Sequence, residues 1–135
     1  MPGPPSFVDM SNILITGGAG FIGVNSASHF ANRGWAVTVV DNLSRRGTDQ
    51  NLAWLMQQHP EIRFERIDIR DASAMEQVMR DHHPEMVLHL AGQVAVTTSY
   101  KNPREDFEIN ALGTFNVLEA VRLQAADAFR SEEHT

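Results

Sequence analysis

The stretch Ile13-Leu14-Ile15-Thr16-Gly17-Gly18-Ala19-Gly20-Phe21-Ile22-Gly23, with Asp41 downstream, decides how this chain folds. An apolar run ends in glycines, and a stretch of helical character follows from Phe21 to Arg33, closed by Gly34. A second apolar run, Trp35 to Val40, ends at the acid. Strand, glycine turn, helix, strand, acid is the layout of a dinucleotide-binding unit. The glycines have separate tasks. The first lets the chain turn sharply off the strand. The second lets backbone N–H groups approach a pyrophosphate with no Cβ in the way, and the third lets the new helix pack closely on the sheet. The helix N-terminus then offers unpaired N–H donors and a partial positive charge to the phosphates.

Two glycine spacings are satisfied at once. Gly18, Gly20 and Gly23 give G-x-G-x-x-G, and Gly17, Gly20 and Gly23 give G-x-x-G-x-x-G. Asp41 lies at about the twenty-residue offset where a carboxylate meets the adenosine ribose. A carboxylate there accepts from the 2′- and 3′-hydroxyls and repels a 2′-phosphate, which favours NAD over NADP. Arg45 and Arg46 follow closely. They either meet a phosphate, which is the competing reading, or form part of a solvated loop.

Outward from this core, strands are expected at Asn12–Thr16, Trp35–Asp41, Ile62–Asp68 and Met86–Leu90. Helices are expected at Phe21–Arg33, Thr48–Gln58, Ala72–His82, and in one long element from about Arg104 to Ala126. Asn102-Pro103 supplies a cap and a first-turn proline for the last of these. Strands alternating with helices define an α/β fold, a Rossmann-like doubly wound parallel sheet with right-handed crossovers. A full fold of this type has about six strands, so this one is read as truncated after about four strands and the long fourth helix. Along that helix Phe107, Ala111, Phe115 and Leu118 form one apolar stripe, with Ile109, Leu112 and Val117 largely off it. One face is expected to cover the sheet. The other meets a partner subunit or a further helix layer.

Composition bounds the rest. With 135 residues the chain has room for one domain and one core. A net charge of −6 argues against general nucleic-acid binding. Cysteine is absent, so disulfides and thiolate chemistry are excluded. The sequence carries no long apolar span and no charged-then-apolar leader, which makes a cytoplasmic protein the expectation. Residues 1–10, rich in proline and glycine, read as a disordered extension, with Met10 as the expected true start. Residues 11–129 form the dinucleotide-binding domain. Residues 130–135, Arg-Ser-Glu-Glu-His-Thr, can be encoded by AGA TCG GAA GAG CAC ACG, a sequencing-library adapter string. They are read as an artefactual tail, the alternative being a natural polar terminus. The histidines make no metal site, because none has helical ligand spacing with a completing carboxylate. His89 is read as a sheet residue, buried or hydrogen-bonded.

TGGAGFIG, DNLSRRG, DIRD, HLAGQ and NPREDFEINALGTFNVLEAVR together resemble the extended class of short-chain dehydrogenases/reductases, over about Ser11 to Arg122. That class contains the NAD-dependent sugar-nucleotide epimerases and dehydratases. The resemblance implies NAD as cofactor, a nucleotide-sugar substrate, and a homodimer formed through the long helix. It assigns the pyrophosphate to Gly17, Gly20, Gly23 and the N–H groups of Phe21 and Ile22, and the adenosine ribose to Asp41 and Asn42. Asp68 and Ile69 would meet the adenine edge. Leu90, Ala91 and Gln93 would line the nicotinamide-side ribose. Asn110 matches the asparagine that steadies the site, and Thr97, Thr98 and Ser99 would face the substrate. Each also has a plainer reading: a strand-end turn for Asp68, a helix-surface or capping residue for Asn110, a loop hydroxyl for Ser99.

Subfamily signals are confined to one loop. The 4,6-dehydratases tend to carry His-Val-Asp-Arg-Ser where this chain has Ala95-Val96-Thr97-Thr98-Ser99, and UDP-glucose 4-epimerases often carry lysine where it has Val94. Both differences favour a 2-epimerase, for which the resemblance implies a CDP-sugar substrate and transient oxidation of the sugar with re-reduction by tightly bound NAD. The class takes its base from a Tyr-x-x-x-Lys pair with an upstream Ser/Thr. Here the single tyrosine, Tyr100, has Arg104 four residues on, Pro103 between, and a position before the long helix. No catalytic residue is therefore assigned within these residues, and the chain alone is expected to be inactive. Another reaction on the same fold (4-epimerase, dehydratase or reductase) and a non-catalytic NAD-sensing module remain the alternatives.

Overall fold

The computed structural model describes residues 11–92 and 101–133, with side chains as far as residue 124. The chain divides into two compact units, Met1–Glu65 with Pro84–Leu90, and Arg66–His83 with Ala91–Thr135.

The first unit carries strands β1 (Asn12–Thr16), β2 (Ala36–Asp41), all but the last residue of β3 (Arg63–Arg66), and β4 (Met86–His89), and helices α1 (Phe21–Asn32) and α2 (Thr48–Gln58). The strands form one sheet in the order β3-β2-β1-β4. β1 runs parallel to both neighbours, with Thr16 opposite Val40 on one side and His89 on the other. This is the doubly wound order expected, and it puts the C-terminal ends of β1, β2 and β4 together, where open α/β sheets bind ligands. Ile13, Leu14 and Ile15 are all fully buried, the signature of a parallel strand covered on both faces. On one face Ile13, Ile15, Val37 and Val39 pack with Val24 and Ala27 of α1, Leu55 of α2, and Ile62.

The glycine turn is held by contacts too close for any side chain. Gly17 adopts φ +67°, the left-handed region where a Cβ is strained. A Cβ on Gly18 would lie 2.5 Å from Val39 Cγ1, and one on Gly23 would lie 2.3 Å from the Gly17 carbonyl oxygen. The third glycine thus packs the helix against the backbone of the turn itself, and the contact with the sheet belongs to Gly18. This corrects the expected division of labour. Gly20 differs from all three, since a Cβ there would meet only the Gly17 carbonyl oxygen, at 3.4 Å.

In the second unit α3 (Ala72–His82) starts at Asp71, whose carboxylate accepts from the Ala74 N–H. The long helix starts at Asn102, whose side-chain oxygen accepts from the Glu105 N–H, with Pro103 in the first turn as expected. It is not one regular helix. It comprises α4 (Pro103–Phe107), a wider π-helical segment (Glu108–Gly113) and α5 (Thr114–Glu133). The expected end at Ala126 is overrun, because no glycine or proline follows Gly113 to stop it. α3 packs on α5. Met75, Val78 and Met79 are buried, as are Val117 and Ala120. Of the stripe read along the helix, Phe107, Phe115 and Leu118 are exposed, by 67%, 59% and 63%. No helix among the described residues is long and apolar enough to cross a membrane.

Four strand boundaries move, one of them at β4, which ends at His89 rather than Leu90. Trp35 leaves β2 because its N–H closes the end of α1 on the Phe30 carbonyl. Ile62 leaves β3 because its N–H bonds back to His59. β3 stops at Arg66, so Asp68 and Ile69 lie beyond the strand rather than at its end. A Gly23→Ala chain is expected to lose about 3 kcal/mol of stability or more, since the clash is backbone on backbone and no rotamer relieves it; urea unfolding measures this against wild type.

Candidate dinucleotide site

In the first unit, β1 delivers the chain into the glycine turn and β2 delivers Asp41 beside it. The Gly17 N–H donates to the Val40 carbonyl at 2.8 Å, tying the turn to the last residues of β2. The Asp41 carboxylate then accepts from the Ala19 N–H at 3.1 Å and from the Leu43 N–H at 2.7 Å. A carboxylate has about four lone-pair positions, so these two bonds leave room to accept sugar hydroxyls. Asn42 makes the next turn, its side-chain oxygen accepting from the Ser44 N–H at 3.1 Å. The N-cap of α1 is Gly20, and no side chain caps this end. Phe21 and Ile22, the first two helical residues, are 78% and 65% exposed. An open helix N-terminus, a glycine with room beside it and an adjacent carboxylate fit a phosphate-linked ribose. Gly17, Gly20, Phe21, Ile22, Gly23 and Asp41 are therefore brought to one place.

At the end of β4, the Leu90 N–H donates to both the carbonyl and the hydroxyl oxygen of Thr16, at 3.0 Å and 3.1 Å. The Thr16 hydroxyl also bonds His89 Nδ1 at 2.6 Å. Burial lowers the His89 pKa from its ordinary value of 6.5. His89 is a half-buried, hydrogen-bonded strand residue, as its place in the sequence implied.

In the second unit, the Asp68 carboxylate accepts from the Arg70 N–H at 2.9 Å and pairs with the Arg70 guanidinium at 2.7 Å. That hydrogen bond raises the Arg70 pKa. Asp68 thus holds a turn two residues beyond the end of β3. The Ile69 side chain is buried, and a Cβ on Gly113 would come 2.4 Å from its Cδ1. Its carbonyl accepts from Asn116 Nδ2 at 3.0 Å. Asn110 lies in the π-helical segment, exposed, and donates to Asp106 at 3.1 Å. A Cβ on Gly92 would meet its side-chain oxygen at 3.0 Å, so Asn110 stands against the chain just after Ala91. Gln93, Thr97, Thr98, Ser99 and Tyr100 lie outside the described residues.

Sequence reasoning missed two residues. Thr16 is fully buried in an otherwise apolar strand, and a buried hydroxyl must find partners. Asn51, in the first turn of α2, donates from Nδ2 to the Ala19 carbonyl at 3.0 Å.

A parallel sheet ordered 3-2-1-4, with a tight glycine turn and an acid after its second strand, defines a dinucleotide-binding α/β unit. The family model described as GDP-mannose 4,6 dehydratase matches residues 14–131. The chain is 48% identical over 110 residues to a CDP-paratose 2-epimerase of Salmonella typhi, covering 82% of this chain and 32% of that protein. It is 34% identical over 119 residues to a UDP-glucose 4-epimerase of Rhizobium meliloti, covering 88% and 34%. Among solved structures, a UDP-glucose 4-epimerase of Thermus thermophilus in complex with NAD matches with a TM-score of 0.72 at 38% identity, covering 84% of this chain and 34% of that one. The chain belongs to the NAD-dependent epimerase/dehydratase family. It spans about a third of the length of the relatives it matches.

His89 sets a pH dependence. Its pKa is lower folded than unfolded, so the unfolded chain binds the extra proton first and stability falls as pH drops below 6.5. Unfolding curves across that range are expected to show the fall, and His89→Gln to flatten it.

Proposed function

We propose that this chain is the NAD-binding N-terminal part of a cytoplasmic sugar-nucleotide epimerase that acts at C-2 of a CDP-linked sugar, as the name CDP-paratose 2-epimerase implies. The observation that supports NAD is the Asp41 carboxylate bonded to the Ala19 N–H beside the uncapped start of α1. Such an acid accepts ribose hydroxyls and repels a 2′-phosphate. The 48% identity to the 2-epimerase, against 34% to the R. meliloti 4-epimerase, supports the substrate.

The residues take the roles their motif positions indicate. Gly17, Gly20 and Gly23, with the N–H groups of Phe21 and Ile22, hold the pyrophosphate. Asp41 and Asn42 hold the adenosine ribose. Asp68 and the Ile69 backbone are assigned the adenine edge; the Ile69 side chain is already buried. Leu90, Ala91 and Gln93 are assigned the second ribose, Asn110 the support of the site, and Thr98 and Ser99 the substrate. Bound NAD would supply reversible hydride acceptance, while the protein positions and polarises. The exposed Phe107, Phe115 and Leu118 are the surface that a second copy would cover in the intact homodimer.

Two measurements test this. Calorimetric titration of the 135-residue chain with NAD is expected to show weak binding, and Gly20→Ala to weaken it at least about tenfold with little change in thermal stability, because the added Cβ meets ordinary contact only. The intact protein, assayed by NMR, is expected to invert C-2 of CDP-paratose and leave UDP-glucose unchanged. Turnover of UDP-glucose instead would move the assignment to the 4-epimerases.

A further inference from the structure

We infer that Asn51 is a positioning residue for the phosphate-facing turn: its side chain sets the plane of the Ala19–Gly20 peptide from which α1 begins. The inference rests on the dinucleotide reading above and names a residue that reading does not use.

The geometry is local to the first unit. Ala19 is fully buried, yet both of its backbone polar groups are taken by side chains from other elements. Its N–H goes to Asp41 at the end of β2, at 3.1 Å, and its carbonyl accepts from Asn51 in the first turn of α2, at 3.0 Å. The next N–H, that of Gly20, donates to the Gly17 carbonyl at 3.1 Å. The peptide joining Ala19 to Gly20 is therefore bonded at both ends, its oxygen to Asn51 and its nitrogen to Gly17. Gly20 is the N-cap of α1, so the direction of this peptide sets that of the N–H groups that follow. Without Asn51 the carbonyl would lose its side-chain donor from α2, and the peptide would be held at its nitrogen alone, at the point where a phosphate is to be received. Pre-organised donors bind better than donors that must first be ordered.

Asn51→Asp tests the donor. Asn51→Leu, uncharged, is run beside it to exclude repulsion of the phosphates by a new carboxylate, and must reproduce the loss of ADP-ribose binding. Asn51→Asp keeps size and shape, turns the donor into an acceptor facing a carbonyl, and puts a carboxylate in the first turn of α2, where the helix dipole favours it. The fold should survive. With the 135-residue chain, ADP-ribose and adenosine are titrated in parallel, and amide hydrogen exchange is followed at Gly20 without ligand. Asn51→Asp is expected to weaken ADP-ribose about tenfold, leave adenosine unchanged, and speed Gly20 exchange by about the same factor. Equal ADP-ribose binding by variant and wild type overturns the inference. So does an equal loss of both probes, which marks a general structural role. If wild type binds no ADP-ribose, the dinucleotide reading fails, and the exchange rate still decides the clamp: unchanged exchange at Gly20 refutes it.

Discussion

The carbonyl oxygen of Gly17 is the point on which the first unit is organised. It accepts the Gly20 N–H at 3.1 Å, and it sits 2.3 Å from where a Cβ of Gly23 would be. A strand that must reverse direction and release a helix within a few residues can do so only if backbone approaches backbone this closely. Once that approach is made, the start of α1 is set, Val24 and Ala27 meet Ile13 and Ile15 in the core, and the helix N-terminus opens beside Asp41. Fold and site share one steric requirement, which is why three glycines with no chemistry of their own decide both.

Much of this was legible in the sequence, because close approach and alternation leave compositional traces. The apolar Ile13-Leu14-Ile15 run marked a strand, which the structure buries fully, and Asn102-Pro103 marked a helix start that the structure places one residue earlier than expected. The division of labour among the glycines was not legible. Spacing shows that a glycine is present, not which neighbour excludes its Cβ, and Gly18 rather than Gly23 turned out to meet the sheet. Boundaries shifted wherever a single hydrogen bond outweighed a residue's preference, as at Trp35, whose aromatic ring favours a strand but whose N–H belongs to the end of α1.

The long helix shows a different limit. Its apolar period read as continuous, and the wider turn over Glu108–Gly113 does not interrupt that period visibly. Such segments concentrate at functional positions, and Asn110 lies in this one, yet the signal is a backbone hydrogen-bond pattern that composition does not record. Asn51 was hidden for a related reason. An asparagine in a first helical turn looks like local capping, and its bond to Ala19, 32 positions away in the chain, appears only once α1 and α2 are packed.

Asp41 carries a consequence for how such a chain could change its cofactor. One carboxylate oxygen braces Ala19 and the other braces Leu43. An uncharged replacement at this position, the obvious step toward tolerating a 2′-phosphate, offers at most one acceptor oxygen in the case of asparagine and none in the case of alanine. One of the two amides with asparagine, and both with alanine, would then be stranded and the turn loosened. On the NAD reading proposed above, a lineage moving toward the phosphorylated cofactor would first have to secure the turn by another bond, because the two oxygens that brace it belong to the residue that would be replaced.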